Sequence, residues 1–366
     1  MQFAQIQTIP EVLNVLKVLM TGLGAFVLAF AITPLWTHLL YKYKFGIKIK
    51  SNDVNGEKLT FVSKLHAHKS GTPTMGGVIM WVSVIILAFS SHFIFPALAE
   101  YFGINFIARL DFLSRKEVWL PLFALTSAGI LGLFDDVMSV RGWGKNKGGG
   151  MRFAMRFGWL IVIAAAGGWW FFYKLGWDVL HIPAFGDFAI GLWYIPLFIF
   201  VILFAAVSSN ETDGLDGLNG GVLLMAFFSF AIIAFFQNKV NLSAFCAAMS
   251  GVTLAFLWFN IEPARFMMGD TGAMSLGTTL GVVAMLTNSA VVLFLIVFIY
   301  VLESGSVTIQ LLSKKFFHRK VFLAAPLHHH FEAKGWPECK VVMRAWIFTM
   351  VTSILGVVIA IFGMGK

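Results

Sequence analysis

Apolar runs about as long as a lipid hydrocarbon layer is thick recur from one end of this chain to the other. A spanning helix needs about 20 mostly apolar residues. Lipid admits only helices or closed barrels, because each backbone polar group must be satisfied within the protein. Apolar length and the placement of charge predict ten spans, at about 12–40, 76–95, 118–137, 154–173, 190–208, 217–236, 241–259, 272–287, 289–312 and 342–364. A chain of 366 residues that is 58% hydrophobic and 12% charged is too apolar to be a soluble globule. The expected fold is an all-α integral membrane protein of about ten transmembrane helices, forming one polytopic domain over 1–366. Ala29-Phe30-Ala31 superficially matches a signal-peptidase site, but the run is long and lacks positive charge before Lys17, so it is expected as a retained first span. Two cysteines, Cys246 and Cys339, imply no disulfide framework.

Charge tests the span count. Loops after odd-numbered spans carry twenty basic residues, among them Lys42, Lys69, Arg141, Lys147, Arg156, Arg265, Lys314, Arg319 and Lys334. Loops after even-numbered spans carry five: Arg109, Arg115, Lys116, Lys174 and Lys239. The positive-inside rule then places the odd loops in the cytoplasm and both termini on the outer, periplasmic or extracellular side. The eighth span is short and Gly-rich, yet without it the basic 313–341 loop would fall outside. The outward loop 177–191 alternates apolar and turn residues around Pro183 and Gly186, which predicts a short hairpin on the outer surface. The net charge of +9 follows topology and the anionic inner leaflet, so nucleic-acid binding is not expected.

Every unusual polar cluster falls on the inward side: His66 to Gly77, Asp135-Asp136, Asn210 to Gly221, Asn260 to Gly272, and Ala325 to Trp336. Asp135-Asp136 ends the third span, and acids at the edge of a span usually line a wet cavity or face a cation. Asn210-Glu211-Thr212-Asp213-Gly214-Leu215-Asp216-Gly217 sets three acids between two spans with no Lys or Arg, and negative charge of that density needs a cation. Hard oxygen donors with little neighbouring base suit Mg²⁺, which shares its ligation with substrate phosphates. Read without a ligand, the same segment is two tight turns.

Met268-Gly269-Asp270-Thr271-Gly272 adds an acid at a helix start, where free amides favour anions; a plain N-cap is the simpler alternative. Thr72-Pro73-Thr74-Met75-Gly76-Gly77 is a turn entering a span, with Lys69 before it able to meet phosphate as a point charge. Three consecutive histidines, His328, His329 and His330, cannot all aim at one ion from a regular element, so contact with phosphate oxygens is expected instead. Glu303 lies inside the ninth span and calls for a partner that the sequence does not name. Together these motifs predict a Mg²⁺-dependent phosphoryl-transfer cleft at the cytoplasmic face.

The motifs Gly71 to Gly77, Asp135-Asp136, Thr212 to Leu218, Trp258-Phe259-Asn260, Met268-Gly269-Asp270 and Ala325 to Glu332 with Lys334-Gly335-Trp336 closely resemble the bacterial phospho-N-acetylmuramoyl-pentapeptide transferase family of polyprenyl-phosphate sugar-phosphate transferases. The His tract followed by Lys-Gly-Trp is similar to the muramoyl-pentapeptide branch rather than its relatives. The resemblance implies that undecaprenyl phosphate attacks the β-phosphorus of UDP-MurNAc-pentapeptide, giving lipid I and UMP for peptidoglycan synthesis at a bacterial inner membrane. By matching positions it implies Asp135, Asp136, Asp270 and His328 as catalytic, with Asp270 and Asp136 as Mg²⁺ ligands. Lys69, Thr74, Lys147, Asn210, Asp213, Asp216, Asn260, Met267, His329 and His330 are implied substrate contacts. The chain departs from the family pattern at Glu211, at Met267 where a uracil-stacking Phe is usual, and at Ser139.

A transferase for UDP-N-acetylglucosamine or another nucleotide sugar is the nearest alternative, and a membrane transporter a more distant one. The expected partners are the two substrates and membrane lipid; a homodimer is compatible with the sequence and not decided by it.

Overall fold

A computed structural model describes residues 10–46, 69–113, 117–144 and 149–363. Among them, seven helices are long and apolar enough to cross a bilayer, and two bent pairs raise the number to nine. The seven are α1 (Pro10–Lys42), α5 (Trp119–Arg141), α6 (Phe153–Trp169, continued by a π turn to Lys174), α7 (Tyr194–Thr212), α8 (Leu218–Phe236), α9 (Val240–Asn260) and α14 (Glu338–Gly363). Each coincides with an expected span. Their outward residues, such as Leu19, Leu23, Val27, Leu35, Ile347, Ile354 and Phe362, are exposed apolar side chains, as a lipid solvent requires.

The eighth expected span is α10 (Asp270–Leu286), whose residues from Thr271 onward are all buried. Seventeen residues rise about 26 Å, slightly less than a hydrocarbon layer. Small residues let it pack at the centre: Gly277 and Gly281 are four apart, and a side chain at Gly277 would come within 2.6 Å of the Ala205 carbonyl on α7. On its other side α10 meets α5, where a methyl at Gly132 would run into the Asp270 carbonyl. Gly132→Ala is therefore expected to destabilise the protein by about 1–3 kcal/mol, read as a lowered unfolding temperature in detergent. An unchanged midpoint would contradict this close approach.

Two expected spans belong to bent helix pairs. The second is α2 (Gly77–Phe93), continued at a 49° bend by α3 (Phe95–Phe102), after which comes α4 (Asn105–Arg109). The ninth, expected as one run over 289–312, breaks at Val297 into α11 (Ala290–Ile296) and α12 (Phe298–Phe317), bent by 84°. No Gly or Pro lies between residues 290 and 302, so the apolar pattern carries no sign of the break. Tertiary contacts hold the new direction: the Tyr300 hydroxyl donates to Asn219 Oδ1 at 2.6 Å on α8, and Glu303 meets His328 on α13 (Leu327–Ala333).

The expected hairpin is present. Strands β1 (Val179–Ile182) and β2 (Gly186–Ala189) pair antiparallel, with Val179 opposite Ala189 and Ile182 opposite Gly186. The His181 amide donates to Asn288 just past the C-terminus of α10. The hairpin therefore sits at the opposite end of the helix bundle from Asp270, which begins α10.

Candidate active site

Successive helices run in opposite directions, so the ends of α5, α7 and α9 gather with the starts of α2, α8, α10 and α14. Asp135, on the last turns of α5, is buried. Its Oδ1 accepts the Met151 amide, and its Oδ2 accepts Arg156 Nη1 at 3.0 Å. The same guanidinium nitrogen donates to Asp270 Oδ2, and the other Asp270 oxygen accepts Asn210 Nδ2 at 2.6 Å from the end of α7. Arg156, in the first turn of α6, thus bridges carboxylates that lie 135 residues apart in sequence. It was anticipated only as part of the inward positive charge.

Asp136 makes contacts that its position in the motif did not announce. Its two oxygens accept the amides of Asp270 at 3.2 Å and Thr271 at 3.0 Å, capping the N-terminus of α10 from a neighbouring helix. Gly269 makes the entry into α10 at φ +75°, and a side chain there would come within 2.6 Å of both Asp136 Oδ2 and Thr74 Oγ. Thr74 is buried at this junction. Asp213, just past α7, accepts the Gly269 amide. Burial first, then the neighbouring Asp270 and Asp216, push its carboxyl well above the usual range despite the opposing Lys69.

A second cluster fastens the 213–217 loop. Lys69, expected as a point charge open to phosphate, is buried, with its ammonium on Asp216 at 2.7 Å and on Glu338 at 2.5 Å. Burial alone would lower the Lys69 ammonium, but Glu338 and Asp216 outweigh it and the net shift is upward. Glu338 also accepts the Asp216 amide at 2.6 Å, and Asp216 accepts the Ala264 amide at 2.9 Å. Asn260 is buried with both ends of its amide engaged: Gly217 N–H donates to it at 3.0 Å, and it donates to the Phe266 carbonyl at 2.9 Å. These side chains were expected to line the cleft; in this structure they hold its backbone.

Phe266 is fully buried against Phe256 and Phe259, so its ring does not substitute for the missing Phe at half-buried Met267. The three histidines take different partners, although the His328 and His329 ring centroids lie 4.1 Å apart. His328 is buried and pairs with Glu303, His329 with Glu332, and His330 accepts the Leu323 amide through Nδ1. Lys147 lies outside the described residues.

Comparison with known proteins decides the family. Residues 69–79 match phospho-N-acetylmuramoyl-pentapeptide-transferase signature 1, and residues 118–288 match glycosyl transferase family 4. A phospho-N-acetylmuramoyl-pentapeptide-transferase of a Thermoanaerobacter species is 34% identical over 339 residues, covering 93% of this chain and 97% of its own. The chain belongs to the phospho-N-acetylmuramoyl-pentapeptide-transferase family. Relatives of the same name from Chloroflexus aggregans (32% identical, 95% of this chain and 90% of theirs) and Bacillus thuringiensis (33%, 94% and 98%) agree.

The family brings a donor set to test for a metal. Among the described residues, no three His, Cys, Asp or Glu side chains come together as a ready cage. What converges is a carboxylate pair, Asp135 and Asp270, with an amide and a guanidinium, all with hard oxygen or cationic character. Mg²⁺ binds through one or two carboxylates plus substrate phosphates and water, so this pair fits it where a full protein cage would not be required. The geometry pairs Asp135 with Asp270 through Arg156, while Asp136, expected beside Asp270 as a ligand, places its oxygens on the α10 amides. Glu338 and Arg156 are the site residues that motif reasoning missed.

Proposed function

We propose that this member of the family transfers phospho-MurNAc-pentapeptide from UDP-MurNAc-pentapeptide to undecaprenyl phosphate, releasing UMP and leaving lipid I in the membrane. The reading extends to Mg²⁺ as the cofactor, held by Asp270 with Asp135, and to ten spans with α10 counted as one, both termini outside and the cleft at the cytoplasmic face of a bacterial inner membrane. The observation that carries it is the convergence of Asp135, Asp270, Asn210 and Arg156 from four helices, at the end of the bundle where Lys69, the Asp213–Asp216 loop and the His tract also gather.

An oxygen of the lipid phosphate forms a bond to the β-phosphorus while the bond from that phosphorus to the oxygen bridging the two phosphates breaks, and UMP departs with that oxygen. Negative charge grows on the phosphoryl oxygens, so groups already fixed before reaction lower the barrier most. Bound Mg²⁺ would neutralise part of that charge. Arg156 holds Asp135 and Asp270 at a fixed separation and contributes positive charge itself, while Asn210 orients Asp270. Asp135 is placed to orient the lipid phosphate or take its proton. The Lys69–Asp216–Glu338 cluster and Asn260 keep the loop backbone in place.

The donor is tested with purified protein, undecaprenyl phosphate and Mg²⁺. UMP release from UDP-MurNAc-pentapeptide is expected, abolished by chelation and restored by added Mg²⁺, with none from UDP-N-acetylglucosamine. The reverse donor preference would overturn the muramoyl reading, and full activity after chelation would remove the metal from it.

A further inference from the structure

Glu303 has no part in the transfer described above, although it sits inside a bent apolar span and is only 5% exposed. Its Oε2 accepts two hydrogen bonds from one residue, the His328 backbone amide at 3.2 Å and the His328 ring Nδ1 at 3.0 Å. A carboxylate has no proton to give, so the ring proton of this contact resides on Nδ1. The other ring nitrogen, Nε2, is buried and meets no hydrogen-bond partner among the described residues. It points at Gly214, so closely that a methyl group there would collide with it. A buried nitrogen without a partner carries a desolvation penalty, and here the arrangement around it is costly on every side: a charged residue within a span, a helix bent by 84°, and a glycine opposite the ring.

We propose that Glu303 is a positioning residue for His328: it fixes the ring proton on Nδ1 and directs Nε2 onto the 213–217 loop, where Nε2 engages the phosphate-bearing substrate. This deepens the function proposed above and rests on it. The division of roles follows from the geometry. His328 presents Nε2 to Gly214 of the loop, and the Glu303 carboxylate meets His328 by a carboxylate–imidazole contact of the kind that sets tautomer and orientation. The bend at Val297 supplies the reach, since it sends α12 toward α13 instead of along the line of α11.

Two measurements on the full chain in lipid nanodiscs test the assignment. In the first, ring-¹⁵N histidine spectra, with the His328 signal identified by its loss in His328→Ala, should show a protonated Nδ1 in the wild type. That preference should disappear in Glu303→Ala and persist in Glu303→Gln, whose amide oxygen still accepts both N–H groups. In the second, Glu303→Ala should lower kcat for UMP release about 10- to 100-fold, with KM for the donor changed less than about threefold. The same substitution made in His328→Ala should cost nothing further. If Glu303→Ala does not fold, Glu303→Gln carries the test and should retain kcat within about tenfold of wild type. A wild-type ring protonated only at Nε2, an equal loss in both backgrounds, or a Glu303→Gln as slow as His328→Ala with its tautomer intact would each overturn the proposal. Absence of UMP release from the wild type would instead sink the functional reading, and the spectra would still decide the tautomer.

Discussion

Asp270→Asn is expected to lower kcat for UMP release by about 10²- to 10³-fold while leaving the unfolding temperature close to that of the wild type. Asn keeps an oxygen for the Asn210 amide and leaves the backbone N–H of residue 270 on Asp136, so the start of α10 is undisturbed. What disappears is the negative charge that opposes Arg156 and is proposed to hold the metal. Asp136→Asn should behave in the opposite sense. It replaces one of two acceptor oxygens on the α10 amides and costs about 1 kcal/mol of stability, with a smaller effect on rate than Asp270→Asn. Both variants are measured by UMP release and by thermal unfolding in the same detergent. An Asp136→Asn variant that lost rate and kept stability would return Asp136 to the ligand role its position in the motif implies.

Lys69→Met carries the largest expected loss of stability. Lys69 neutralises Asp216 and Glu338, whose side chains are 3% and 6% exposed. Removing one partner of a buried ion pair leaves charge without compensation, worth about 3–5 kcal/mol, and here two carboxylates are left facing each other. The triple variant Lys69→Met, Asp216→Asn, Glu338→Gln removes the charge altogether and should regain most of that loss, because a buried ion pair is often no more stabilising than its neutral replacement. If Lys69 instead served only as an open phosphate contact, Lys69→Met would raise KM for the donor at unchanged stability.

Apolar length and charge placement made most of the membrane architecture legible, because lipid forces both to repeat along the chain. α1, α5 to α9 and α14 coincide with expected spans. Even the hairpin at 179–189 was visible from Pro183 and Gly186. The break at Val297 was not, since neither a glycine nor a proline marks it and the contacts made beyond it, to Asn219 and His328, are distant along the chain.

The site divides in the same way. The acids announced themselves by their number and by their place at span ends, but what each one touches depends on pairs such as Arg156 with Asp270 and Lys69 with Glu338, 114 and 269 residues apart. Residue type alone did not distinguish Asp270, 23% exposed, from Asp136, turned inward onto backbone amides. The signal for Glu338 was present in a weak form: an acid just ahead of an apolar span, which the structure places at the first residue of its helix, as it does Asp270.

The convergence of Asp135, Asp270 and Arg156 as a sugar-phosphate transfer centre is tested most directly by following label. Purified protein is given undecaprenyl phosphate, Mg²⁺ and UDP-MurNAc-pentapeptide carrying a radiolabel in its β-phosphate, and the mixture is then extracted into organic solvent. The expected result is label in the lipid phase in amounts equal to the UMP formed, with almost none for Asp270→Asn. Label that stayed in the aqueous phase while UMP accumulated, or equal lipid labelling by wild type and Asp270→Asn, would contradict the account.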